Sequence, residues 1–208
     1  MKSAIPRLVP LVALTLALIS SAACSSDGTT PTTSAPTTPA ATTPWAADGI
    51  ISTGEYTSSQ SFTSGVTTFN LHWKTDAQFI YVAMEAQVTG YIAVALDPDI
   101  IGGKTNTDML FGYVAGSQAF LFDQWARTEA GESHPDDTAL GGVNNITEFG
   151  GRETGGKTII EFKRLLNTGD QYDHPFVTGA NRIMWAVHNT SDDLQVHTAF
   201  GRGSITIS

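Results

Sequence analysis

Cysteine is almost missing from this chain: Cys24 is the only one in 208 residues. No disulfide can close within it, and neither a thiolate-bound metal nor a thiol nucleophile is available to the folded part. Cationic side chains are scarce as well, with 11 Lys and Arg against 20 Asp and Glu, and they are scattered. Nothing here could neutralise a run of phosphates, which excludes nucleic acid as a partner. Apolar residues at helical spacing are nearly absent, and no long unit repeats. The G-x-S-x-G elbow of serine hydrolases does not occur, and "GGKTNT" lacks the glycine spacing of a phosphate-cradling loop. With no catalytic constellation in sight, the chain is expected to bind rather than to catalyse.

The one extended apolar run lies at the amino terminus. In "MKSAIPRLVPLVALTLALISSAAC", Lys2 and Arg7 precede apolar residues from Leu8 to Ile19, then small residues, then Cys24. The run is short of the ~20 residues a membrane-spanning helix needs and has the build of an export signal. It resembles a bacterial lipoprotein signal over residues 1–24, which implies a lipid on Cys24 and a mature protein held on the extracytoplasmic or periplasmic side of the cell membrane. Residues 25–44, "SSDGTTPTTSAPTTPAATTP", are Thr/Pro-rich without apolar periodicity and read as a disordered linker. Residues 45–208 have the length of one domain.

In that domain strict alternation dominates. "FNLHWKT", "QFIYVAMEAQ", "GYIAVALD", "DMLFGYVAG", "QAFLFDQW", "GKTIIEFKRLL", "NRIMWAVHN", "LQVHTAF" and "GSITIS" are short, β-branched and aromatic, and separated by turn residues. The pattern predicts an all-β, antiparallel two-sheet β-sandwich, immunoglobulin-like, of about nine to eleven strands. The stretch from Ala126 to Glu153 reads as a long functional or metal-stabilised loop with at most a short helical turn.

Several strings in a fixed order resemble the DOMON domain. They are "WAADGIISTGEY" as entry strand, "LHWKTDAQFIYVAMEAQVTGYIAVALDPD", "NTDMLFGYVAGSQAFLFDQW", "EFKRLLNTGDQYDHPF", and the closing "IMWAVH" and "HTAFGRGS". The resemblance implies a sandwich that binds haem b for electron transfer to a redox partner protein. The alternative is a non-redox module that binds carbohydrate or another protein.

The same resemblance assigns His197 the place of a haem-ligating histidine on a late strand. Alternation would put it on one face with Gln195 and Ala199, leaving Leu194, Val196 and Thr198 on the other. The second axial ligand falls on Lys104, in the loop where the family places a methionine, or on Met109, whose other reading is core packing. His188 lies across the "NTSDD" turn from His197, while His134 and His174 read as turn residues.

Asp123, Asp136, Asp137, Asp170 and Asp173, beside Asn144 and Asn145, make an oxygen-rich set of the kind that holds a structural calcium ion; the alternative is turn capping. Arg164 and Arg202 each need a carboxylate partner, with Asp170 and Asp123 the candidates. Trp73, Trp125, Trp185, Tyr81, Tyr91 and Tyr113 are core residues or a sugar-stacking platform.

Overall fold

A computed structural model of the chain describes residues 44–96, 103–127 and 134–208. Cys24, the export-signal segment and the Thr/Pro stretch up to residue 43 lie outside the described residues. Ten strands follow one another: β1 (Ser58–Ser64), β2 (Thr67–Thr75), β3 (Phe79–Ala86), β4 (Ile92–Leu96), β5 (Thr107–Ala115), β6 (Gln118–Ala126), β7 (Ile146–Thr154), β8 (Lys157–Leu165), β9 (Gly179–Val187) and β10 (Ala199–Ile207). A single helical turn, α1 (Asp137–Leu140), precedes β7. All pairings are antiparallel, in two five-stranded sheets of order β1-β2-β3-β8-β7 and β10-β9-β4-β5-β6. The expected all-β sandwich is what forms. Among the described residues no helix is long and apolar enough to cross a membrane.

Period-two alternation sends one set of side chains from each sheet into a shared core. Phe69, Leu71 and Trp73 of β2, Ile80, Val82 and Met84 of β3, and Ile160 and Phe162 of β8 meet Val94, Leu110, Ile183, Trp185, Val187 and Ile205 of the other sheet. Trp185 lies flat on Phe69, 5.4 Å between centroids and 5° between planes. Each such buried side chain contributes roughly 1.5–3 kcal/mol by removal from water. Trp73 and Trp185 are thus core rather than a sugar platform.

Three expectations about strands need correction. "LQVHTAF" is not a strand: β10 begins at Ala199, and Leu194, Val196 and His197 are exposed in the preceding loop. Its turn residues hydrogen-bond to themselves instead, with His188 Nδ1 accepting the Thr190 and Ser191 amides and Gln195 Nε2 donating to Ser191 Oγ. "WAADGIISTGEY" forms turns rather than an entry strand, and β1 follows it. The supposed long loop after Ala126 ends at β7, which pairs with β8 over its whole length through one register shift near Glu148.

The turn-rich segment 45–57 covers the outer face of the first sheet. Glu161, fully buried on that face, accepts hydrogen bonds from the amides of Asp48 and Gly49 at 3.0 and 2.7 Å and from the Tyr56 hydroxyl at 2.7 Å. Contact is so close at Gly150 that a Cβ there would stand 1.9 Å from the Ala47 carbonyl oxygen.

Candidate functional site

The outer face of the second sheet is apolar. Antiparallel register aligns Phe200, Ala186, Ala93, Phe111 and Phe122 in one row across β10, β9, β4, β5 and β6. Two residues along, Arg202, Met184, Ala95, Met109 and Gln124 make a second row. Alanines in the middle and large side chains to either side shape a trough floored by Ala93, Ala95 and Ala186. Tyr91, Ala93 and Phe111 are buried there as a small apolar cluster of their own, with Tyr113 and Phe122 against it. Tyr91 and Phe111 rings are 4.7 Å apart. Met109 stands on this outer face, half-buried opposite Ala95, so its reading as core packing is corrected.

Four basic side chains gather around the trough. Arg202 reaches the carbonyl of Gly103, tying the segment before β5 towards β10. Next to Gly103, Lys104 Nζ lies 3.1 Å from His134 Nε2, in the segment that leads into α1. Burial and the Lys104 charge lower the His134 pKa to about 4, so its imidazole is neutral at pH 7 and its Nε2 accepts a hydrogen bond from Lys104 Nζ. His197 sits two residues before β10, its ring 4.3 Å from that of Phe200. Partial desolvation lowers its pKa too, and the Lys104 charge acts in the same direction. Tyr91 donates from its hydroxyl to the Gln195 carbonyl at 2.8 Å, anchoring the loop that carries His197. Lys104 and His197 are therefore brought to one region, with Met109 on one side of the trough, and His134 joins them where only a turn residue was expected. His188 is occupied in its own turn and lies 5.9 Å from the Tyr91 ring.

At the loop end of the sandwich, between the sheets, a second polar centre surrounds Arg164. The guanidinium is fully buried at the end of β8 and makes a two-pronged pair with Asp108, at 3.3 and 2.8 Å. Asp173 Oδ1 and Asp123 Oδ1 are 3.4 and 3.9 Å from Arg164 Nη1. The partner of Arg164 is thus chiefly Asp108, not Asp170. Its strand, β5, faces β8 across the core, a relation no sequence spacing discloses. Asp170 instead accepts the amides of Val143 and Tyr172, and Asp136 accepts from Gln124 Nε2 at 3.0 Å. Those two carboxylates act in turns and bridges. Arg202, on the opposite face of its sheet, meets the Gly103 carbonyl rather than Asp170 or Asp123. Trp125 stacks edgewise on Tyr172 and lies 5.1 Å from the His174 ring, closing this end of the core.

Burial holds the carboxyls of this centre in their neutral form far above the usual range: Asp123 to about 7 and Asp137 to about 8, the neighbouring carboxylates adding to the rise for Asp137. Asp173 is raised by burial as well, with Arg164 pulling the other way.

Fold and faces together define an antiparallel β-sandwich module with an apolar trough on one outer surface. The family model of the DOMON domain matches residues 65–188, and the chain belongs to that family. It is similar to DBH-like monooxygenase protein 1 of Mus musculus, 25% identical over 125 residues, which are 57% of this chain and 18% of that protein. The chain thus spans less than a fifth of that relative's length. Among solved structures it is similar to the cytochrome domain of Myriococcum thermophilum cellobiose dehydrogenase, with a TM-score of 0.52 and 11% identity over 72% of this chain and 82% of that one. A further likeness is to the cytochrome b domain of pyranose dehydrogenase from Coprinopsis cinerea, with a TM-score of 0.47 and 20% identity over 67% and 75% of the two chains.

Proposed function

We propose that the trough on the second sheet holds a haem b and that the protein is an electron-transfer module without catalytic chemistry of its own. The observation that carries this reading is the alanine-floored apolar trough with nitrogen donors at its rim. A flat macrocycle needs a flat, dry slot, and Ala93, Ala95 and Ala186 leave one between Met184 and Phe200 on one side and Met109 and Phe111 on the other. The donor set fits the group: His197 would offer an imidazole whose pKa partial burial lowers, favouring the neutral ring, and Lys104 or Met109 would offer a second donor. Similarity to a fungal cytochrome domain supports the same assignment. Bound haem supplies a one-electron iron couple; the chain's residues orient it and keep water from its faces.

Lys104 ligates only as the free amine, whereas the Met109 thioether binds at any pH. Titration of the purified chain with haem is expected to give a Soret band that His197→Ala abolishes and His188→Ala leaves in place. A spectrum lost on raising acidity in the wild type, but not in Lys104→Met, identifies the lysine. No band in the wild type overturns the haem reading and leaves the carbohydrate or protein-binding module, to be sought by calorimetry with soluble oligosaccharides.

The module works from a membrane surface in this reading. A lipid on Cys24 and the Thr/Pro segment hold it on the extracytoplasmic or periplasmic side, within reach of a redox partner. Cys24→Ala should move the protein from the membrane fraction to the soluble one; unchanged fractionation rejects the anchor.

A further inference from the structure

The acidic centre at the loop end of the sandwich contains more carboxyl groups than its arginine can balance. Asp108, Asp123, Asp137 and Asp173 are all buried, and Arg164 is the cation within ion-pair distance of them among the described residues. Four carboxyl groups share one guanidinium. Arg164 directs its fork at Asp108, so the other three can ionise only if a further cation balances them.

Asp137 is the most telling of them. It has no exposed surface, and neither of its carboxylate oxygens has a hydrogen-bond partner among the described residues; Asp123 Oδ1 is likewise without one. An unpaired buried carboxylate is costly enough that it demands a counter-ion or a proton. An antiparallel bridge joins Gln124 to Asp136, and their side chains bond to each other on the outer face. Asp137, the next residue and the first of α1, is fully buried and feels the charges of Asp123, Asp108 and Asp173. Oxygen atoms of Asp108, Asp123 and Asp173 lie within 4.8 Å of one another. A shallow surface pocket between Gly142, Asn145, Thr168 and Asp170 opens over this end of the fold, and the Asn145 amide bonds Asp123 Oδ2 at 2.8 Å.

We infer that Asp123, Asp137 and Asp173 hold one hard divalent cation, of the calcium, magnesium or manganese class, between the two loops at this end of the sandwich. Hard cations take carboxylate oxygens, in mono- or bidentate fashion, and complete their shell with water. Asp123 and Asp173 belong to the clustered oxygens, and Asp137, with both oxygens unpartnered, would join them from the start of α1. The ion would fasten α1 and the 167–176 loop to β6, which otherwise leave these groups facing one another as like charges. Asp136 and Asp170, though in the same acidic stretches, take no part.

The test uses the full-length chain, stripped with EDTA and dialysed. Terbium, a luminescent stand-in for calcium, is titrated with excitation through tryptophan, since Trp125 borders the cluster. Thermal unfolding is followed with added calcium, magnesium or manganese. Sensitised terbium emission that calcium displaces is expected, with a Tm rise of about 5 °C or more at cation far above Kd. Asp137→Asn should lose both responses, and Asp136→Asn should keep both. The inference is overturned if the stripped wild type shows neither emission nor a cation-dependent Tm, with Asp137→Asn simply raising Tm in EDTA. Loss of both responses in Asp136→Asn but not in Asp137→Asn would also overturn the assignment.

Discussion

On the outer face of the first sheet, Asn70, Lys74, Glu85 and Lys163 interleave, Lys157 pairs with Glu85 at 3.1 Å, and segment 45–57 satisfies the buried Glu161. On the outer face of the second, phenylalanines, methionines and alanines stand in rows instead. One surface is covered by a segment of its own chain; the other, among the described residues, carries an apolar trough. A sandwich needs only one apolar face per sheet, so the second apolar face is what the proposed haem site rests on.

The contrast breaks most sharply at Glu161. Glu161→Ala leaves three donors without an acceptor and should cost about 3 kcal/mol in urea unfolding, whereas Phe200→Ala on the other face should stay within ~0.5 kcal/mol. Equal losses would mean that both faces are structural. Alanines sharpen the point: Ala83→Leu overpacks the covered face by about 1–3 kcal/mol, while Ala186→Leu should spare stability and block haem uptake. A Soret band of full height in Ala186→Leu would remove the trough from consideration.

A pH scan in EDTA separates the acidic centre from both faces. In the unfolded chain Asp123 and Asp137 are ionised well below neutrality, but in the fold they hold protons to about 7 and 8. Their raised pKa values make the native state the better proton binder, so stability should fall as pH rises from 6.5 to 8, on the order of 1–2 kcal/mol. His134, lowered from 6.5 to about 4, is neutral in the fold but half protonated in the unfolded chain at pH 6.5, so it adds an opposing rise of only about 0.4 kcal/mol across that window. A flat profile rejects the burial of those carboxyls. Smallest of all, Tyr91→Phe removes one hydrogen bond to an exposed loop and should cost about 0.5–1 kcal/mol, with a weaker His197-dependent Soret band as its more telling sign.

Alternation made most of the fold legible, since strands β2 to β6, β8 and β9 carry clean apolar sets. The missed strands, β1 and β7, are edge strands made of Ser, Gln, Thr and Gly-Gly, whose polar side chains hide the period. The trough was readable in principle: "YIAVAL" and "MWAV" are apolar at every position, the mark of a strand covered on both sides. Pairing of Arg164 with Asp108 was not readable, because it depends on which strands of opposite sheets end at the same level. His134 was passed over for a similar reason, its importance arising from Lys104 thirty positions earlier in the chain.

Residues 134 to 137 form a short hinge pin between two workplaces. His134 rests on Lys104 by the trough, Asp136 is stitched to Gln124 of β6, and Asp137 turns inward to the acidic centre. Four consecutive residues can be immobilised only once. Whatever fixes Asp137 lowers the entropy left to lose at His134, and whatever occupies the trough rim does the same for Asp137. If the proposed haem and cation both bind and are coupled through this segment, thermodynamic reciprocity requires the gain to be equal in both directions.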